Sequence, residues 1–202
     1  MNIKLIAPHK QHEDSSNFRL LRINLPLLAA LTPPGHTITI VDEAFAPDDP
    51  NQEVDLVGIT VITDLAPRAY QIADTYRRQG VKVVMGGIHP TILPDEALRH
   101  ADAVVVGEAE DLWPQVVSDA ASGQMQRLYR ADKKPDLAGL PTARRDLFPR
   151  PKQWGSGPLH IGVESSRGCP KRLPAVIREP RPLPLRLQGP RRWPRRCRGS
   201  IR

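Results

Sequence analysis

The side chains of this sequence that could do chemistry gather at the ends of short apolar runs. Val54-Asp55-Leu56-Val57-Gly58-Ile59-Thr60-Val61 leads into Ile62-Thr63, Val81-Lys82-Val83-Val84-Met85 into Gly86-Gly87-Ile88-His89-Pro90, and Ala103-Val104-Val105-Val106 into Gly107-Glu108. Small and polar residues at such ends let backbone approach a ligand closely, and parallel sheets bind ligands outside the carboxyl ends of their strands. The candidate contact residues are therefore Thr60, Val61, Thr63, Gly86, Gly87, His89, Gly107 and Glu108. Two readings stand for Gly86-Gly87: a ligand cradle, or glycines that only relieve strain at a turn. His89 has no Cys or His partner at ligand spacing, so it reads as a pocket-rim or turn residue and not as a metal ligand. Glu108 and Glu110 have the types of an acid/base pair, but Glu108-Ala109-Glu110-Asp111 reads better as first-turn acids of a following helix. Trp113-Pro114 reads as packing near that helix start. The first strand is not followed by G-x-G-x-x-G, the chain has no G-x-x-x-x-G-K-[ST], and no Ser, His and Asp set is placed for nucleophilic catalysis.

The elements that must position these residues follow from periodicity. Residues 3–7 are a short apolar strand. Residues 25–31 form a helix stopped by Pro33-Pro34-Gly35, and the β-branched alternation of residues 37–41 is a second strand. Residues 54–61 give the third. A helix over 67–79 puts Ala69, Ile72, Ala73 and Tyr76 on one face and ends at Gly80. The fourth strand is residues 81–85, followed by a short helix over 94–100, a fifth strand over 103–106, and a helix over 111–122 that ends at Gly123. Five alternations with strands apolar on both faces predict an α/β fold, a five-stranded parallel sheet with helices on both faces.

Charge is uneven. Of the net +7, residues 171–202 carry +10, from one Lys and ten Arg against Glu179, which leaves −3 on residues 1–170. The basic pI of about 9.8 is thus no argument that the folded part binds nucleic acid. Cys169 and Cys197 are the two cysteines, too few and too late in the chain for a disulfide framework, so a reducing cytoplasm is the expected compartment. No apolar run reaches the roughly 20 residues of a membrane span.

These pieces, in order, resemble the cobalamin-dependent radical S-adenosylmethionine family, in which an N-terminal B12-binding domain precedes a radical SAM barrel. The matching residues are Pro26-Leu27-Leu28-Ala29-Ala30-Leu31-Thr32-Pro33-Pro34, Val41-Asp42-Glu43, Asp55-Leu56-Val57-Gly58-Ile59-Thr60, Gly86-Gly87-Ile88-His89-Pro90-Thr91 and Asp102-Ala103-Val104-Val105-Val106-Gly107-Glu108-Ala109-Glu110. Pro135-Asp136-Leu137-Ala138-Gly139-Leu140-Pro141, Arg145-Asp146-Leu147 and Ser166-Arg167-Gly168-Cys169-Pro170 complete the set. The resemblance implies a flavodoxin-like (Rossmann-like) domain with the corrin ring over the strand ends. The nucleotide tail would run between strands beside Thr60, Thr63, Gly86 and Gly87. The D-x-H-x-x-G motif that places a His below cobalt is absent after the first strand, so no His ligand is expected from it.

The resemblance divides the chain into a cobalamin-binding domain (1–130), a linker (131–158), the start of a radical SAM domain (159–170) and a basic Pro/Arg-rich tail expected to be disordered (171–202). Family members ligate three irons of a [4Fe–4S] cluster with the thiolates of C-x-x-x-C-x-x-C, and the fourth iron takes S-adenosylmethionine. Here Cys169 is the first of these, a remnant metal ligand, while Leu173 and Val176 stand at the other two positions. The abrupt change of composition inside that motif reads as a truncated or out-of-frame remnant, and an RNA-binding basic arm is the other reading of the tail. The expected function is a cobalamin-binding module without radical catalysis. A receiver-like signalling domain and a basic-tailed nucleic-acid binder are the alternatives. The receiver is disfavoured because Ile59-Thr60-Val61 stands where an acidic strand end is wanted.

Overall fold

The structure is a computed structural model that describes residues 1–10, 20–148, 160–161, 164, 166–168 and 186–187. Its centre is a wholly parallel sheet of six strands: β1 (Asn2–Ala7), β2 (Thr37–Asp42), β3 (Leu56–Thr60), β4 (Lys82–Gly86), β5 (Ala103–Val106) and β6 (Leu128–Arg130). They lie in the order β2-β1-β3-β4-β5-β6. The five expected strands are present, and the sixth is an addition. Leu128-Tyr129-Arg130 buries only Tyr129, so as an edge strand it has no apolar run to betray it. The Tyr129 hydroxyl donates to Asp119 at 2.8 Å and accepts from the Gln126 N–H at 2.9 Å, which fixes the edge.

Helices cover both faces. The helices α1 (Asn24–Leu31) and α5 (Trp113–Ser122) supply one layer, and α2 (Ala66–Arg78), α3 (Ile88–Ile92) and α4 (Pro94–Ala97) follow the strands whose other face they cover. Strand residues alternate between the two layers. Leu56, Val84, Ala103 and Val105 meet Leu25, Ala29, Trp113 and Val116 on one side. Val57, Ile59, Val83, Met85 and Val104 meet Ala69, Ile72, Ala73 and Tyr76 on the other. The sequence reading takes Gly86 to Pro90 as a turn and overlooks α3. Pro90 is tolerated there because it sits in the first turn, where a backbone N–H has no helical partner to lose. The helix expected over 94–100 is shorter, Pro94–Ala97.

Residues 131–148, expected as linker, lie against the domain. Leu137 and Leu140 are buried against Leu27 of α1, and the Arg144 N–H donates to the Pro26 carbonyl at 2.9 Å. The tail and Cys169 lie outside the described residues, apart from Arg186–Leu187, which pairs antiparallel with Ser166–Arg167.

Lys4 is the polar exception inside β1. Its side chain is 0 % exposed, and its Nζ donates to Asp48 Oδ1 at 3.1 Å, the Asp49 carbonyl at 2.7 Å and Tyr76 Oη at 2.8 Å. Tyr76 Oη in turn donates to Asp48 Oδ2 at 2.7 Å. Burial first, and then the hydrogen bond to Asp48, push the Tyr76 phenol far above its ordinary range. This closed set of bonds ties the loop after β2 to β1 and α2, and it is what makes a lysine tolerable there.

The turn after β4 is equally constrained. Gly87 has φ +107° and ψ −170°, a region open in practice to glycine alone, and a Cβ there would stand 2.7 Å from the Val61 carbonyl oxygen. The neighbouring backbone seals the turn, with Val61 N–H donating to the Gly86 carbonyl at 2.8 Å and His89 N–H to the Val61 carbonyl at 3.1 Å.

Two outcomes follow for denaturant unfolding. Lys4→Met strands Asp48 and is expected to cost about 3–5 kcal/mol, most of it recovered when Asp48→Leu is added; equal costs for the single and double variants would contradict this account of Lys4. Gly87→Ala is expected to lose about 1–3 kcal/mol from backbone strain alone, and an unchanged midpoint would show that the turn relaxes.

Candidate functional site

The chain runs outward from β1 to β2 on one side and from β3 to β6 on the other, so the connections diverge between β1 and β3. At such a switch point the loops separate and leave a crevice above the strand ends. A cavity of about 480 Å³ lies there, between α1 and α5. Its walls are Leu25 and Leu28 of α1 and Trp113 of α5, and its floor is Gly58, Thr60, Val84, Gly86 and Val105 from three adjacent strands. The volume and apolar lining are those of a small-molecule site.

The floor is made of two kinds of glycine. A Cβ at Gly58 would stand 2.9 Å from Leu5 Cδ2 and 3.2 Å from Trp113 Cη2, so this glycine lets the indole pack against the strand. At Gly86 a Cβ would meet only Val105, at 3.8 Å and beyond, so the missing side chain is the cavity's own space. Trp113 is anchored by its Nε1–H, which donates to Thr32 Oγ1 at 2.9 Å. Across the floor, Asn24 Nδ2 donates to Thr60 Oγ1 at 2.8 Å and holds the start of α1 to the end of β3.

Of the residues singled out from sequence, Thr60, Gly86, Gly87, Gly107 and Glu108 line the cavity, and Val61, Thr63 and His89 do not. Val61 is buried in the opposite layer and supports the Gly86-Gly87 turn through its backbone. Thr63 is exposed at the start of a turn leading to α2. His89 is only 4 % exposed, not at a rim. Its Nε2 is 2.8 Å from Tyr70 Oη, whose proton goes to Glu96 Oε1 at 3.0 Å, so Nε2 is the donor to the phenol oxygen, and the buried Nδ1 has no hydrogen-bond partner among the described residues. The Tyr70 ring stacks on His100, 4.1 Å between centroids, and His100 Nδ1 lies 3.0 Å from the Asp74 carboxylate. His89 therefore braces α3 against α2 and α4, behind the strand ends.

Several lining or supporting residues escaped the sequence reading. Arg22, just before α1, and Asn24, its first residue, are polar positions with no motif to mark them. Thr91 Oγ1 donates to the Gly87 carbonyl at 2.7 Å and accepts from the Gly107 N–H at 2.9 Å, clipping the ends of β4 and β5 together. A threonine four residues after a strand-end glycine is the weak signal that could have found it. Arg167 comes from a distant part of the chain, and only the tertiary fold brings it here.

Arg167 changes the reading of the acids after β5. Its Nη1 donates to Glu108 Oε2 at 2.7 Å and Glu110 Oε1 at 2.6 Å, while Nε and Nη2 form a two-pronged pair with Glu164 at 2.9 and 2.8 Å. Hydrogen bonding to Glu164 first, and to Glu110 and Glu108 after it, raises the guanidinium pKa above its ordinary value despite partial burial. Glu108 and Glu110 are thereby committed to ion pairing and do not form an acid/base pair. Nor are they first-turn acids, since α5 begins at Trp113 and its first turn has none. Among the described residues no group of three or more His, Cys, Asp or Glu is arranged to hold a metal ion, and no helix is long and apolar enough to cross a membrane.

The B12 binding domain family matches residues 22–117, the span from Arg22 through the floor strands to α5. The chain is 38% identical over 162 residues to the bacteriochlorophyllide d C-8(2)-methyltransferase of Chlorobaculum tepidum, covering 78% of this chain and 36% of that protein. It is 33% identical over 151 residues to the C-12(1)-methyltransferase of the same organism, 73% of this chain and 33% of that protein. An uncharacterized methyltransferase of Pyrococcus horikoshii is 28% identical over 177 residues, 73% of this chain and 38% of its own. The chain thus spans about a third of the length of the curated relatives it matches. With the parallel sheet, the switch-point cavity and the glycine floor in place, residues 22–117 belong to the B12-binding domain family.

Proposed function

We propose that this chain is the cobalamin-binding module of a methyl-transferring enzyme of the radical SAM type, with the cavity between α1 and α5 taking the nucleotide tail of the cofactor. The observation that carries the reading is the open position at Gly86: the floor lacks a side chain where a flat, elongated group would have to lie, although nothing in the fold forbids one. A packing glycine would leave no such space, as Gly58 illustrates. The methyltransferase names of the similar proteins support the methyl-transfer part of the proposal.

The residues fit the cofactor by division of labour. Val84, Val105, Leu25 and Trp113 would exclude water from the tail, and Thr60 and Asn24 would meet its polar edge. Ile62, Ile88 and Ile92, exposed at 42%, 63% and 66%, stand on the segments leaving β3 and β4 and would shield a broad apolar ligand from above. When bound, cobalamin supplies a cobalt that carries and hands on a methyl group. His89 faces away from the cavity and is held by Tyr70, so it would not serve as a ligand to that cobalt. Leu173 and Val176, standing where two cluster cysteines would be required, support binding without radical catalysis by this chain alone.

A visible-absorption titration of hydroxocobalamin into the full chain tests the reading. A saturable spectral change is expected for the wild type. Gly86→Ala should bind within about threefold of it, while Gly86→Phe should bind at least about tenfold more weakly, a difference near 1.4 kcal/mol. Because the Gly86 Cβ has room, both variants should keep the wild-type unfolding midpoint. No spectral change in a folded wild type, or full affinity in Gly86→Phe, would overturn the assignment.

A further inference from the structure

The Arg167 cluster joins two parts of the chain that the sequence keeps apart. Its acceptors Glu108 and Glu110 lie 59 and 57 residues away, on the segment between β5 and α5. Glu110 is 8% exposed and Arg167 25%, so the bonds are partly withdrawn from water, where charge-assisted pairs are stronger than on an open surface. Glu108, Glu110, Glu164 and Arg167 all line the same cavity as Thr60 and Gly86. A ligand in that cavity therefore touches the segment containing Arg167 as well as the sheet. Arg167 also stands two residues before Cys169 in the sequence.

We propose that Arg167 is a latch that seats Glu164 and Ser166 to Gly168 on the rim of the cavity, so that docking of these residues and occupancy of the cavity are one linked equilibrium. The proposal rests on the cobalamin reading for the identity of the ligand. The latch itself stands on the four bonds alone. Residues that line a cavity only in the docked state add contacts to the ligand only in that state, so the ligand favours docking. By reciprocity, docking favours the ligand by the same factor. Arg is suited to this role because its planar fork engages Glu164 with two nitrogens while the third remains for the β5–α5 segment. Lys carries its three donors on one nitrogen, so it cannot keep the two-nitrogen grip on Glu164 while reaching Glu108 and Glu110. Arg167 is a positioning residue in this scheme, and the chemistry it serves is delivery of the chain that leads into Cys169 to the cofactor's side of the domain.

Hydrogen exchange of the full chain, followed by mass spectrometry with and without saturating hydroxocobalamin, tests the latch together with the affinities of Arg167→Lys, Glu110→Gln and the double variant. Without ligand, Arg167→Lys should raise exchange at residues 164–168 and leave the strand amides of the sheet as protected as in wild type. With ligand, protection of 164–168 should rise at least about fivefold in wild type and not in Arg167→Lys. The single variants should each bind at least about fivefold more weakly than wild type, and the double variant no more weakly than the worse single, because both remove one interaction. If wild type binds hydroxocobalamin but 164–168 gains no protection, or Arg167→Lys binds as wild type does, the coupling is overturned and the cobalamin reading survives. If a folded wild type binds none, the cobalamin reading and the coupling both fail, and the exchange of the unliganded variants still decides whether Arg167 holds the segment.

Discussion

A parallel sheet whose connections part between two neighbouring strands must leave a gap that no crossover helix fills, and the architecture of this chain is arranged around that gap. Because α1 turns away towards β2 while the later connections run towards β6, the strand ends of β3, β4 and β5 lie under a space bounded by α1 and α5. What occupies the space is then decided residue by residue. Trp113 fills the deep end, where Gly58 lets it lie against the sheet, and Gly86 leaves the shallow end open. One missing side chain makes a packing contact and the next makes a slot.

The strand ends are held in place by polar contacts and not by further apolar packing. Thr91 bridges the ends of β4 and β5, the Val61 backbone seals the turn at Gly87, and Asn24 reaches from α1 to Thr60. Behind them, His89, Tyr70 and Glu96 brace the short helices, and Arg68 grips Glu43 with bonds of 2.6 and 3.0 Å beside the end of β2. Such directional contacts matter at this edge because a cavity lacks the dense packing that fixes side chains elsewhere in a core. Lys4 plays the same part at mid-sheet, where its bonds to Asp48, Asp49 and Tyr76 order a loop that has little apolar surface of its own.

Function on this fold is carried by the site and not by the sheet, which hosts many activities. Here the site combines an apolar floor, few polar donors and three carboxylates paired with one guanidinium. That combination accompanies the match of residues 22–117 to the B12-binding domain family. The methyltransferases similar to this chain extend well beyond the part it covers.

Periodicity was enough to establish the five central strands, the two long helices and the α/β class, because buried parallel strands and amphipathic helices write their burial into consecutive residues. Motif order was enough to point to the B12-binding family and to five of the cavity residues, since small residues after apolar runs mark strand ends. Four things were decided by tertiary structure alone. The edge strand at Tyr129 buries one residue, too little to make a pattern. Helix α3 is five residues long and follows directly on a glycine. His89 looked like a rim residue because the direction of a side chain depends on the turn before it, here a Gly87 conformation that sends it behind the sheet. Arg167 reaches Glu108 and Glu110 across nearly sixty residues. The sequence by itself determined which segments are strands and helices and where small residues fall, because those are local properties of the chain. Which glycine is filled, which histidine faces inward and which acids are paired with a guanidinium were settled only by the folded molecule, because each depends on a neighbour brought close by the sheet order.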